Sequence, residues 1–194
     1  MKQLGQKTDA AEYVRSYRRN SLTVLEQIPE AEIARLIEIL HAARKAKCQI
    51  FVCGNGGSAA TASHFAAGLG KDGSWGREEK FRVRSLTDNI AWITSLANDG
   101  HYSQIFVEQL KNHAQAGDVL IAFSASGNSP NVVHAAEWGN ENGLLTVGIT
   151  GHPGGTLGML ARHCIFIDST HIGHVEEAHF LIQHLVSYYF VEEK

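Results

Sequence analysis

Twice along this chain an apolar, strand-like run ends in a cluster of small residues that opens a helix-compatible stretch. Ile50-Phe51-Val52-Cys53 leads into Gly54-Asn55-Gly56-Gly57-Ser58. Val119-Leu120-Ile121-Ala122-Phe123 leads into Ser124-Ala125-Ser126-Gly127-Asn128-Ser129-Pro130-Asn131, about seventy residues later. Glycine lets a backbone approach an anion closely, hydroxyls donate hydrogen bonds, and the following helix offers unpaired N–H groups at its positive end. The pattern therefore points at once to strand–turn–helix units and to a place for a phosphate.

The rest of the chain continues the alternation. Thr8 to Ala46 reads as two helices split at Ile28-Pro29-Glu30, with Ile33, Leu36, Ile37, Leu40 and Ala43 at helical spacing. Pro29 suits a helix first turn, and Glu30 and Glu32 suit its positive end. Strands are expected at 49–53, 81–86, 119–123, 144–149 and 164–167. Helices are expected at 58–69, 89–96, 105–115, 130–142, 154–161 and 175–191, with Asn98-Asp99-Gly100 breaking the one over 89–96 and 71–80 a loop. Strands separated by helices mean an α/β, three-layer sandwich on a mostly parallel sheet, whose ligands sit at the carboxyl ends of the strands. We read residues 1–194 as one domain, a helical arm over 1–47 and an α/β core over 48–194.

Bulk properties exclude several function classes. A net charge of −3 argues against direct nucleic-acid binding, which needs a basic surface. No apolar run approaches the roughly 18–20 residues of a membrane span, and Met1 to Asp9 lacks the apolar centre of a signal peptide. Three cysteines form neither a disulfide framework nor a zinc knuckle, so buried structural thiols and a cytoplasmic location are expected. Of the eleven histidines, His41, His113 and His152 lie in stretches that read as exposed.

The first turn is not a dinucleotide fingerprint, because Ala59 stands where the last glycine belongs and no acidic residue ends the next strand. No Gly-Lys-Ser/Thr makes it a P-loop, so no nucleotide cofactor is expected. A bland tight turn is the rival reading for one glycine cluster. Ser124, Ser126 and Ser129 around Gly127 and Asn128 weigh against it, since three hydroxyls and helix N–H groups match a phosphate monoester.

The stretches CGNGGSAATASHFA, LTDN…LANDG, GDVLIAFSASGNSPNVV and TGHPGG together resemble the sugar isomerase (SIS) domain, and within it the phosphoheptose isomerase group. The resemblance runs from Ser21 to Phe190. It implies a flavodoxin-like sandwich, interconversion of sedoheptulose 7-phosphate and D-glycero-D-manno-heptose 7-phosphate, and a homotetramer packed partly through its N-terminal helices with sites at subunit interfaces. By matching motif, Asn55, Gly56, Gly57, Ser58, Asn98 and Asp99 would contact substrate, and Ser124, Ser126 and Ser129 its phosphate. Ala125 stands where these isomerases commonly carry threonine, which removes one hydroxyl.

Aldose–ketose isomerisation needs a base near the carbon-bound hydrogen and an acid or metal at the carbonyl. The family's H-x-x-x-E and Q-E-x-H-x-x-x-x-H motifs, which supply a zinc and catalytic cluster, are only partly present. His64 and His184 match the histidines, Gly68 replaces the glutamate, and Glu176 replaces the glutamine. In one reading His184 and Glu176 are catalytic and His64, Glu176 and His184 hold zinc, two imidazoles and a carboxylate being a plausible catalytic set. In the other, the histidines are merely hydrogen-bonded and the protein binds a sugar phosphate, or the replication initiator, without turnover. An isomerase for a different sugar phosphate is the third possibility. Glu176 and His184 sit about 80° apart and about 12 Å along one helix, so long side chains or a neighbouring subunit must close the gap. His179 is read as structural.

Overall fold

The computed structural model describes residues 9–193. Five strands, β1 (Gln49–Cys53), β2 (Arg82–Ser85), β3 (Val119–Ser124), β4 (Leu145–Gly151) and β5 (His163–Ile167), pair in parallel in the order β2-β1-β3-β4-β5. Parallel neighbours require crossovers, and the helices supply them. After β1 the chain goes outward to β2, then returns to place β3 on the other side of β1. The sheet therefore reverses direction between β1 and β3, where Cys53 lies opposite Ala122. In doubly wound sheets that reversal opens a crevice at the strands' carboxyl ends, and both Gly/Ser turns leave the sheet there.

Helices α1 (Ala10–Glu26), α2 (Glu30–Lys45), α3 (Gly57–Gly70) and α8 (Ile172–Glu192) cover one face. Their Leu36, Leu40, Phe65, Ile182 and Phe190 meet Ile50, Val52, Ile121 and Phe123 of the sheet. Helices α4 (Ile90–Asp99), α5 (Val107–His113), α6 (Pro130–Glu141) and α7 (Gly155–Leu160) cover the other, where Leu110, Val132 and Leu157 meet Phe51 and Leu120. All six residues of β3 are buried, as a central strand covered on both faces requires. Each fully buried large side chain contributes roughly 1.5–3 kcal/mol. The Asp118 carboxylate accepts the N–H groups of Gln49 (2.8 Å) and Gln115 (2.9 Å), tying the start of β1 to the approach to β3.

The α/β sandwich expected from the sequence is the fold, with local corrections. Pro29 caps α2 from outside rather than opening its first turn. Residues 71–80 contain a short 3-10 turn, Asp72–Ser74. α4 continues through Asn98 and Asp99 and stops at Gly100, whose N–H bonds the Leu96 carbonyl. α5 is shorter than expected and follows a 3-10 turn at Tyr102–Gln104. α8 starts at Ile172, three residues early, because the His171 side chain accepts the N–H of His174 and caps it. His41 is not free: it pairs with Glu193 at 3.2 Å and packs edge-on to Phe190. The three cysteines are unpaired thiols, and burial pushes that of Cys53 up to about 12. Among the described residues no helix is long and apolar enough to cross a membrane.

Candidate functional site

The first turn enters α3 through Gly56, whose φ of +55° lies in the region that glycine alone adopts without strain. Asn55 then joins the two turns. Its amide nitrogen donates to Asn131 Oδ1 and its oxygen accepts from Asn131 Nδ2, both at 2.8 Å. Tyr102 Oη donates to the same Asn55 oxygen at 3.0 Å. Asn131 is 1% exposed, so this amide pair is its polar satisfaction as well as the brace between β1–α3 and β3–α6. Neither Asn131 nor Tyr102 was marked by sequence; two polar residues flanking glycine turns carry no local sign that they meet.

The second turn is equally braced. Gly127 adopts φ +66° and presses against the Gly154 carbonyl, leaving no space for a side chain. Asn128 Oδ1 accepts from the Thr156 backbone (2.9 Å) and hydroxyl (3.1 Å), linking the turn to α7. Ser124 Oγ lies 3.5 Å from Ser129 Oγ, and Ser126 Oγ accepts the Asn128 N–H at 3.2 Å. Ser124 is buried, Ser129 half-buried and Ser126 exposed, so the three hydroxyls run from the crevice floor to its lip. The Ala125 carbonyl accepts the Gly151 N–H, and Gly151 abuts Val175, which places this turn beside α8.

Glu176, on the first turns of α8, closes the crevice from that side. A methyl group on Gly57 would fall 2.6 Å from its carboxylate, so the bare backbone of α3's N-terminus is what admits the charge. A carboxylate is favoured at that positive end. Ser58, next to Gly57, is buried. A pocket of about 470 Å³ opens here, with Tyr17, Gly57, Thr61, Glu176, Glu177 and Phe180 on its walls. A larger cleft, about 800 Å³ between α3, β2 and α4, holds none of the candidate site residues. Asn98 and Asp99 are exposed and hydrogen-bond each other at 2.8 Å; Tyr102 rather than either of them bonds to the first turn.

His64 and His184 do meet. Their rings stand perpendicular with centroids 4.9 Å apart, and Phe180 packs against both, at 5.1 Å and 4.8 Å. Burial, and then the neighbouring His64, hold His184 below its ordinary 6.5. Its imidazole is therefore neutral near pH 7 and can accept a proton. Glu176 does not join them: it stands at the other end of the shared α8 face. Among the described residues no three His, Cys, Asp or Glu side chains are grouped to hold a metal ion.

At Gly68 α3 runs directly against α8. A Cβ there would come 2.6 Å from Ser187 Oγ and 3.0 Å from Ser187 Cβ. Ser187 thus fills the space a longer residue at position 68 would need. It continues a row, His179, Gln183 and Ser187, on one face of α8, all buried and with side-chain polar atoms that have no hydrogen-bond partner among the described residues. Burial pushes His179 down to about 3, which keeps it uncharged.

Comparisons with known proteins show what the chain resembles. A family model described as the SIS domain matches residues 12–151. The chain is 37% identical over 155 residues to a phosphoheptose isomerase of Rhodospirillum rubrum, covering 79% of this chain and 81% of that one. It is 39% identical over 157 residues to the phosphoheptose isomerase of Mycobacterium tuberculosis, covering 80% of each. The solved structure of a phosphoheptose isomerase from Neisseria gonorrhoeae superposes with a TM-score of 0.86 at 26% identity, over 94% of this chain and 98% of that one.

Proposed function

We propose, from the premise that this chain belongs to the SIS domain family and to the phosphoheptose isomerases within it, that it is a sugar-phosphate isomerase interconverting sedoheptulose 7-phosphate and D-glycero-D-manno-heptose 7-phosphate. The observation that carries the reading is the crevice between β1 and β3. It holds a serine-lined anion turn on one side and a carboxylate at a helix N-terminus on the other. Ser124, Ser126 and Ser129 take the phosphate, and Asn55 to Ser58 face the sugar. The reaction moves one proton from C1 of the ketose to C2 through an enediol, while another passes between the oxygens. Glu176 is the carboxylate able to take and return the carbon-bound proton. His184 of a second copy of the chain, uncharged near pH 7, is able to carry the one between oxygens.

His64 and His184 fit zinc as two of its usual ligands. The set closes with a third only if Glu176 comes from a second copy of the chain. Such an ion, when bound, supplies polarisation of the substrate carbonyl. Exposed Tyr13, Val14 and Leu22 on α1, and Leu185 and Tyr188 on α8, support a homotetramer in which copies complete one another's sites. A charged sugar phosphate does not cross a membrane unaided and the thiols are free, which supports work in the cytoplasm.

Gly68 favours a second reading, a protein that binds the sugar phosphate without turning it over. Incubation with sedoheptulose 7-phosphate, with and without zinc, separates the two. Aldose formation that falls at least a hundredfold in His184→Ala supports the isomerase. Tight binding without turnover supports the second reading, and neither binding nor turnover refutes both.

A further inference from the structure

We infer that Tyr17 determines specificity in the candidate site, its phenolic oxygen accepting a hydrogen bond from a hydroxyl on the sugar's carbon chain. The inference rests on the sugar-phosphate reading and names which residue reads the end remote from the phosphate. Tyr17 belongs to α1, in the helical arm, yet it walls the pocket that contains Gly57 and Glu176.

Several residues are committed to placing this one hydroxyl. The Glu177 carboxylate stands beside it on the same pocket wall, close enough to raise the phenol above its ordinary 10. The carboxylate is held in turn by the Ser21 hydroxyl, which donates to Glu177 Oε2. The Tyr17 ring rests edge-on against His174, centroids 4.7 Å apart, and against His171 at 5.6 Å. Those two imidazoles are themselves stacked at 4.1 Å. Gly173 completes the seat: a Cβ there would lie 2.5 Å from Tyr17 Oη, so any side chain would push the hydroxyl away.

The chemistry of the pocket selects the group it takes. Glu176, Glu177 and the phenol oxygen together make an acceptor-rich wall. Two carboxylates repel a phosphate, so the phosphate belongs at the serine turn and the donor-rich polyol end belongs here.

Tyr17→Phe removes the oxygen and keeps the ring on its histidine platform. Titration calorimetry with sedoheptulose 7-phosphate and, separately, with inorganic phosphate tests the assignment. The expected result is about tenfold weaker binding of the sugar phosphate, the worth of one hydrogen bond, with phosphate binding unchanged. Gly173→Ala gives the same selective loss although alanine favours the helix, which separates a lost contact from a destabilised arm. Unchanged sugar-phosphate affinity in Tyr17→Phe, or equal loss for both ligands, overturns the role of Tyr17 and leaves the function standing. Wild-type protein that binds sedoheptulose 7-phosphate no better than phosphate overturns the sugar-phosphate reading, and this inference with it.

Discussion

Gly68→Ala sets two effects of opposite sign against each other. In a helix interior alanine is better than glycine by about 1 kcal/mol. At this position, however, the new methyl arrives 2.6 Å from Ser187 Oγ and 3.0 Å from Ser187 Cβ. Rotating Ser187 moves its hydroxyl but not its Cβ, so the two helices themselves must separate. Overpacking of a closed core costs about 1–3 kcal/mol. The clash wins, and the variant is destabilised by about 1 kcal/mol net of the propensity gain. Urea unfolding followed by circular dichroism, at one fixed protein concentration, reads this as a midpoint lower by about 0.5 M for a slope near 2 kcal/mol per molar. Adding Ser187→Gly removes the obstacle, and the double-mutant cycle returns about 1–2 kcal/mol of coupling. A raised midpoint in Gly68→Ala, or strictly additive effects, would refute the packing argument. The same contact bears on catalysis, because Gly68→Glu has no room for its carboxylate unless Ser187 is removed with it.

Two further outcomes follow from buried polar groups. Unfolded, His179 takes up a proton below about 6.5; folded, it resists to about 3, so its stabilising difference is intact above pH 6.5 and is lost as pH falls toward 3. Between pH 7 and 4.5 the wild type should therefore lose about 2–3 kcal/mol more than His179→Leu, measured by urea midpoints; parallel pH profiles would contradict this. Asn55→Ala strands the buried amide of Asn131 and should cost about 1–3 kcal/mol, with part recovered on adding Asn131→Ala. A single variant as stable as wild type would mean that the amide brace contributes nothing.

Much of the fold is local and so was legible. Apolar runs, small-residue turns and helical spacing are properties of adjacent residues, and the strands fell close to where those patterns put them. The errors lie at ends, where a cap decides. Asn98-Asp99-Gly100 reads as a turn, yet only Gly100 stops the helix, since Asn and Asp can occupy a last turn. α8 begins early because His171 caps it, and histidine is not a usual cap signal. The separation of Glu176 from His184 was also readable, because rise per residue along one helix needs no tertiary knowledge.

The sequence by itself determined the two Gly/Ser turns and the α/β architecture that carries them, through chemistry confined to a dozen neighbouring residues. It named His64 and His184 by likeness to a family; that their rings touch, though they stand 120 positions apart in the chain, is a fact of how α3 packs on α8. The tertiary structure alone brought together Asn55 with Asn131, Gly68 with Ser187, and Tyr17 with Gly173 and Glu177. The physical reason is common to all three. Each depends on the distance between two separately formed elements, and a glycine or an amide looks the same in sequence whether or not a partner stands opposite it.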